Sequence, residues 1–100
     1  MLRRDEEALE KFKVAIKLDP DHAPTINNFA FTLFRFGKTE EAIKLCKKAI
    51  KLSPEYPYPW FTWSACLEKL GKKEEAGEKL MKAQELGMGM VMRSGNEISI

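Results

Sequence analysis

One hundred residues, 44% apolar and 32% charged, suit one compact soluble domain and not two. Net charge is +2, from 17 basic and 15 acidic side chains interspersed along the chain. That balance lacks the clustered basic face of a nucleic-acid binder, and no apolar run is long enough for a membrane span.

Met1 to Glu7 lacks the apolar stretch of a secretory signal, so a cytoplasmic setting is expected. Five helices are predicted. The first runs from about Asp5 to Leu18, where Ala8, Phe12, Ala15 and Ile16 form an apolar stripe with Leu9 beside it. Asp5 is its expected N-cap, and Asp19-Pro20 ends it. The second runs from Ala23 or Pro24 to Phe36, with Pro24 in its first turn and Gly37 as its C-terminal cap. The third runs from about Glu40 to Leu52, capped by Thr39 and stopped at Ser53-Pro54. The fourth begins near Pro57 and ends at Leu70-Gly71; Pro57 and Pro59 must both lie at or before its first turn. The fifth runs from about Glu74 to Leu86, with Gly87 as its cap. Short links make successive helices antiparallel neighbours. Residues 88–100 break the helical period: Gly87-Met88-Gly89 interrupts, and Ser94-Gly95-Asn96 reads as a turn. This tail is expected either to fray or to dock on an exposed helix face through its apolar side chains.

Across these helices runs a 34-residue period. Ala8, Ala42 and Ala76 fall in register, as do Ala15, Ala49 and Ala83, and Leu18, Leu52 and Leu86. Gly37 and Gly71 repeat the interval, and so do Pro20 and Pro54. A period of this size marks stacked supersecondary units that bury their apolar faces against one another.

Trp60, Trp63, Ser64 and Leu67, followed by Ala76, Leu80 and Ala83, make one unit. Ile26, Phe29, Ala30 and Leu33, followed by Ala42, Cys46, Ala49 and Pro54, make the one before it, and Ala8, Phe12, Ala15 and Pro20 match the second half of a still earlier one. In this pattern the chain resembles the tetratricopeptide repeat family, whose motif spaces large, small and proline positions in this way. The resemblance implies an all-α, right-handed superhelical stack of antiparallel helix hairpins. It divides the chain into a trailing helix of a truncated repeat over 1–22, complete repeats over 23–56 and 57–90, and a tail over 91–100. Two positions depart from the pattern: Ser64 stands where glycine or alanine is usual, and Met88 replaces the terminal proline. The leading helix of the first repeat is missing. The first helix is therefore expected to expose some of Leu9, Phe12 and Ile16, and to favour a homodimer or helix exchange through that end, unless Lys and Arg stems cover the patch and keep the chain monomeric.

The resemblance also implies a function, that of a protein–protein interaction module without enzymatic activity. In the family, the faces of the leading helices opposite the packing stripe line a concave groove for an extended peptide or a partner helix. Here those positions hold Asn27, Asn28, Phe31, Phe34 and Arg35 on the second helix, and Tyr58, Phe61, Thr62, Ala65 and Lys69 on the fourth. Four aromatics on a face that water should reach mark an interaction surface. Some family members clamp the C-terminal carboxylate of heat-shock chaperones with lysine, asparagine and arginine. Asn28 fits that pattern, but Tyr58 and Thr62 stand at the lysine and arginine positions, so chaperone-tail binding is not expected.

Other chemistries find little support. His22, the single histidine, lies in a link beside Asp21 and reads as a turn residue, not a base. Cys46 falls at a core position, and Cys66 has no basic partner in the pattern. One histidine and two separated cysteines make no metal site, and no glycine-rich phosphate loop is present. No cofactor, small-molecule substrate or membrane partner is expected. The lysines at 44, 47, 48, 51, 69, 72 and 73 raise an RNA-binding reading. The glutamates at 40, 41, 74, 75 and 78 on the same helices make a mixed, solvated face the better one.

Overall fold

The computed structural model describes residues 3–87. They form five α-helices: α1 (Arg3–Leu18), α2 (Ala23–Arg35), α3 (Thr39–Leu52), α4 (Tyr58–Lys69) and α5 (Lys73–Glu85). No strand occurs among the described residues. The tail beyond Gly87, including Met88, lies outside them.

Two helix ends repeat the same hydrogen-bond pattern. Gly37 and Gly71 adopt φ of +86° and +84°. The Gly37 N–H donates to the Phe34 carbonyl at 3.0 Å, and the Lys38 N–H to Leu33 at 2.9 Å. Gly71 and Lys72 do the same toward Glu68 and Leu67, at 3.0 and 2.9 Å. Both are Schellman closures, which need a residue at ease with positive φ. They turn the chain sharply enough for α3 to return along α2, and α5 along α4.

The helix starts differ from the sequence expectation. Asp5 lies inside the first turn of α1, which begins at Arg3, so it faces the helix dipole and does not cap. Thr39 is the first residue of α3 and is buried; Lys38 precedes it with no side-chain cap. Thr39 is thus sheltered in packing. The cap that the sequence reading missed is His22, whose Nδ1 accepts the Thr25 backbone N–H at 3.3 Å and lies 2.7 Å from the Thr25 hydroxyl. Pro57 and Pro59 sit as expected, at the N-cap and in the first turn of α4.

Packing follows the repeat. α2 packs on α3 and α4 on α5, forming two hairpins; α3 and α2 both touch α4, and α1 rests on α2. The core lies in the middle, where Ala30, Leu33, Ala42, Cys46 and Cys66 come together. A second cluster joins Ala23, Ile26 and Ala49, with Ile16 and Tyr56 against it. Small residues let the paired helices approach. Ala30 faces the α2–α3 hairpin, while Ser64, its equivalent in α4, donates to the Ala76 carbonyl at 2.7 Å. The departure from glycine or alanine at this position therefore ties the second hairpin together with a buried hydrogen bond.

The apolar stripe of α1 is better covered than expected. Leu9 and Ile16 are half-buried against the two clusters, and Phe12 stacks on Phe29 with centroids 5.5 Å apart. Helical spacing turns all three toward α2. The exposed apolar residues of α1 are instead Val14 and Leu18, at 54% and 81%.

Candidate partner-binding face

α2 and α4 lie side by side, and this places the ten residues expected to line a groove. The seam between the helices is polar and buried: the Thr62 hydroxyl donates to Asn27 Oδ1 at 2.9 Å. Asn27 is 7% exposed and Thr62 2%. These two residues therefore hold the helices together and are withdrawn from the face, contrary to the sequence expectation. A buried side-chain amide needs a partner, and Thr62 is the residue within reach.

The other eight residues stay accessible to differing degrees. Phe31, Tyr58 and Phe61 are exposed, with Asn28, Arg35 and Lys69. Phe34 and Ala65 are half-buried. Phe31 and Phe34 form a tilted pair, 6.0 Å between centroids, and Lys69 Nζ crosses the seam to lie 5.5 Å over the Phe34 ring. Tyr58 meets Tyr56 edge-on at 5.4 Å. Tyr56 also packs on Ile26 and Ala23, and burial pushes its phenol pKa above the ordinary range. The result is an aromatic surface with two flanking cations, Arg35 and Lys69.

The opposite side of α4 is closed. Trp60 and Trp63 stack with centroids 5.9 Å apart, and Trp60 Nε1 donates to the Pro54 carbonyl at 3.3 Å. Lys47 from α3 and Lys79 from α5 lie 5.4 and 4.3 Å from the Trp63 ring centre. Trp63 packs against the central cluster, whereas Phe61 is exposed. On the matching side of α2 the smaller Phe29 leaves a cleft of about 520 Å³.

Neither cysteine is placed for chemistry. Cys46 and Cys66 are free and buried in the same cluster. Burial pushes the Cys66 thiol up to about 11, against the lowering influence of Lys69. Cys46 is pushed up further, by burial first and by Cys66 second. Neither forms a reactive thiolate near neutral pH. Among the described residues no three His, Cys, Asp or Glu side chains gather in a metal-binding group, and no helix is long and apolar enough to cross a membrane.

Residues 11–44 match the family model described as tetratricopeptide repeat. Over those residues the chain is similar to the tetratricopeptide repeat. Solved structures agree over most of its length. The second such domain of Spaghetti (RPAP3), bound to the HSP90 peptide SRMEEVD, is 28% identical, with 84% of this chain and 78% of that one covered and a TM-score of 0.77. The Yersinia enterocolitica type III secretion translocator chaperone SycD, in an alternative dimer, is 21% identical over 96% and 74%, with a TM-score of 0.80. A crystal structure of MamA gives 21%, 84% and 49%, and 0.76. The chain thus spans about half the length of MamA. No curated protein sequence matches it. The last two likenesses establish the helical-hairpin fold alone.

Proposed function

We propose that the aromatic face of α2 and α4 binds an extended peptide or an amphipathic partner helix. The carrying observation is the cluster of Phe31, Tyr58 and Phe61, all at least 37% exposed on a pair of helices locked by a buried hydrogen bond. Rigid aromatics lose little entropy when covered, and arginine beside them is the usual company of an interface anchor. The equivalence of the two Schellman closures supports a repeat division at 23–56 and 57–90, with 1–22 as a trailing helix, and the reading of α2 and α4 as leading helices.

The peptide in the RPAP3 complex, SRMEEVD, carries two glutamates and a terminal aspartate. Here Tyr58 and the buried Thr62 stand where a carboxylate clamp would need cations, so a different side-chain preference is proposed: apolar anchors over Phe31 and Phe61, with an acidic residue against Arg35 or Lys69. Replacing Phe31 and Tyr58 together by alanine should abolish partner capture while leaving the helical circular dichroism unchanged. Capture that survives the double substitution would sink the reading.

The exposure of Val14 and Leu18 favours a second reading, a homodimer through α1. Light scattering over a range of concentrations tests it. A constant particle of 11.5 kDa, the chain mass, rejects self-association.

A further inference from the structure

The 34-residue register allows two gaps in the molecule to be laid over one another. One lies between α3 and α5 above α4, the other between α1 and α3 above α2. The floor positions correspond: Leu33 with Leu67, and Phe29 with Trp63. So do the flanks, Lys13 with Lys47 and Leu45 with Lys79. The later gap is filled. The Trp63 ring occupies it, with Lys47 Nζ and Lys79 Nζ at 5.4 and 4.3 Å from the ring centre.

The earlier gap is not filled. Phe29 has a single ring and is drawn toward α1 by its stack on Phe12. Leu45 is shorter than Lys79 and has no charge. What remains is the cleft of about 520 Å³, floored by Leu9, Phe29, Leu33 and Leu45. Its size falls within the range of small-molecule sites. Lys13, Lys38 and Lys44 stand on its rim against one acidic rim residue, Glu41. Glu10 reaches Lys13 at 3.7 Å in an exposed pair, which still leaves the rim positive.

From this comparison we infer that the cleft between α1 and α3 binds a small aromatic carboxylate. The ring takes the place that Trp63 fills in the later gap, stacking over the apolar floor. The carboxylate sits at the rim among Lys13, Lys38 and Lys44. Charge complementarity selects an anion over a neutral or cationic ring. The cleft lies on the side of α2 away from Phe31 and Arg35, so the site is separate from the partner-binding face and does not depend on it.

The test uses the whole chain and naphthalene-2-carboxylate as the probe, followed by methyl and amide resonances. The expected result is saturable 1:1 binding, with a dissociation constant of about 1 mM or tighter and the largest shifts at Leu9, Leu33 and Leu45. The neutral alcohol analogue should bind at least about fivefold more weakly, and so should the probe to the charge-reversed variant K13E/K44E. Grafting the later gap onto the earlier one, as F29W/L45K, should abolish binding, with unchanged circular dichroism showing that the fold is kept. Failure to saturate, shifts centred on Phe31 or Tyr58, or equal binding of the neutral analogue would each overturn the inference. If the grafted variant unfolds, K13E/K44E decides alone, since both of its positions are on the surface.

Discussion

Phe12, Cys46 and Leu80 occupy one register position in α1, α3 and α5, yet their surroundings differ. Cys46 is fully buried, Phe12 is half-buried and Leu80 is 37% exposed. The local sequence pattern around each is the same. What differs is the neighbours: among the described residues, α3 is held by α2 and α4, whereas α1 has α2 alone and α5 has α4 alone. In a stack, a residue's contribution is therefore set by its place in the array more than by its place in the repeat.

The largest expected effect contrasts the middle with the edge. Ile26 is fully buried beneath Ile16, Ala49 and Tyr56. Ile26→Ala should cost about 3 kcal/mol of unfolding free energy, through lost transfer and a residual cavity. Leu80→Ala should cost about 1 kcal/mol, since more than a third of that side chain already meets water. Urea denaturation of the two variants measures the difference. Equal losses would mean that a further element covers α5, and the graded picture would have to be abandoned.

The seam between α2 and α4 offers a smaller break. Thr62→Val keeps the shape but strips the Asn27 amide of its partner in a buried site. Leaving that group unsatisfied should cost about 1–3 kcal/mol. Adding Asn27→Leu removes the orphaned group and should recover much of the loss. A double variant no better than the single one would show that the hydrogen bond does not set the helix spacing.

How much of this was readable beforehand follows from the kind of signal involved. The glycine closures, the prolines of α4 and the apolar stripes are encoded within one repeat, so spacing alone located the five helices. Capping at His22 was missed because histidine is an uncommon cap, although Thr25 three residues on offered its backbone N–H. Asn27 and Thr62 read as ligand-facing in the sequence because a helical wheel assigns a face without knowing which neighbour lies against it. The two residues are 35 apart in sequence, and their hydrogen bond exists only once α4 has been laid beside α2. Likewise, α1 is expected to expose some of Leu9, Phe12 and Ile16; all three are half-buried toward α2, and Val14 and Leu18 are the more exposed. The cleft over Phe29 could have been suspected from the Phe29–Trp63 and Leu45–Lys79 exchanges, since in the earlier unit the first loses volume and the second loses reach and charge.

The middle–edge contrast also has a pH dependence, carried by the two central thiols. In the fold, Cys66 keeps its proton up to about pH 11, whereas the ordinary value is 9.0. The native state therefore binds more protons than the unfolded chain across that interval. Stability from this source is complete below about pH 9 and is lost as pH rises through 11. Cys46, pushed up further, extends the loss in the same direction. Other groups titrate in this window, Tyr56 among them, so the informative quantity is a difference in slope. Cys66→Ala should show a shallower fall of thermal midpoint between pH 9 and 11 than the parent, with little change in slope below it. Identical slopes would mean that the thiol is already solvated in the folded chain, and the central cluster would then be no drier than the edges.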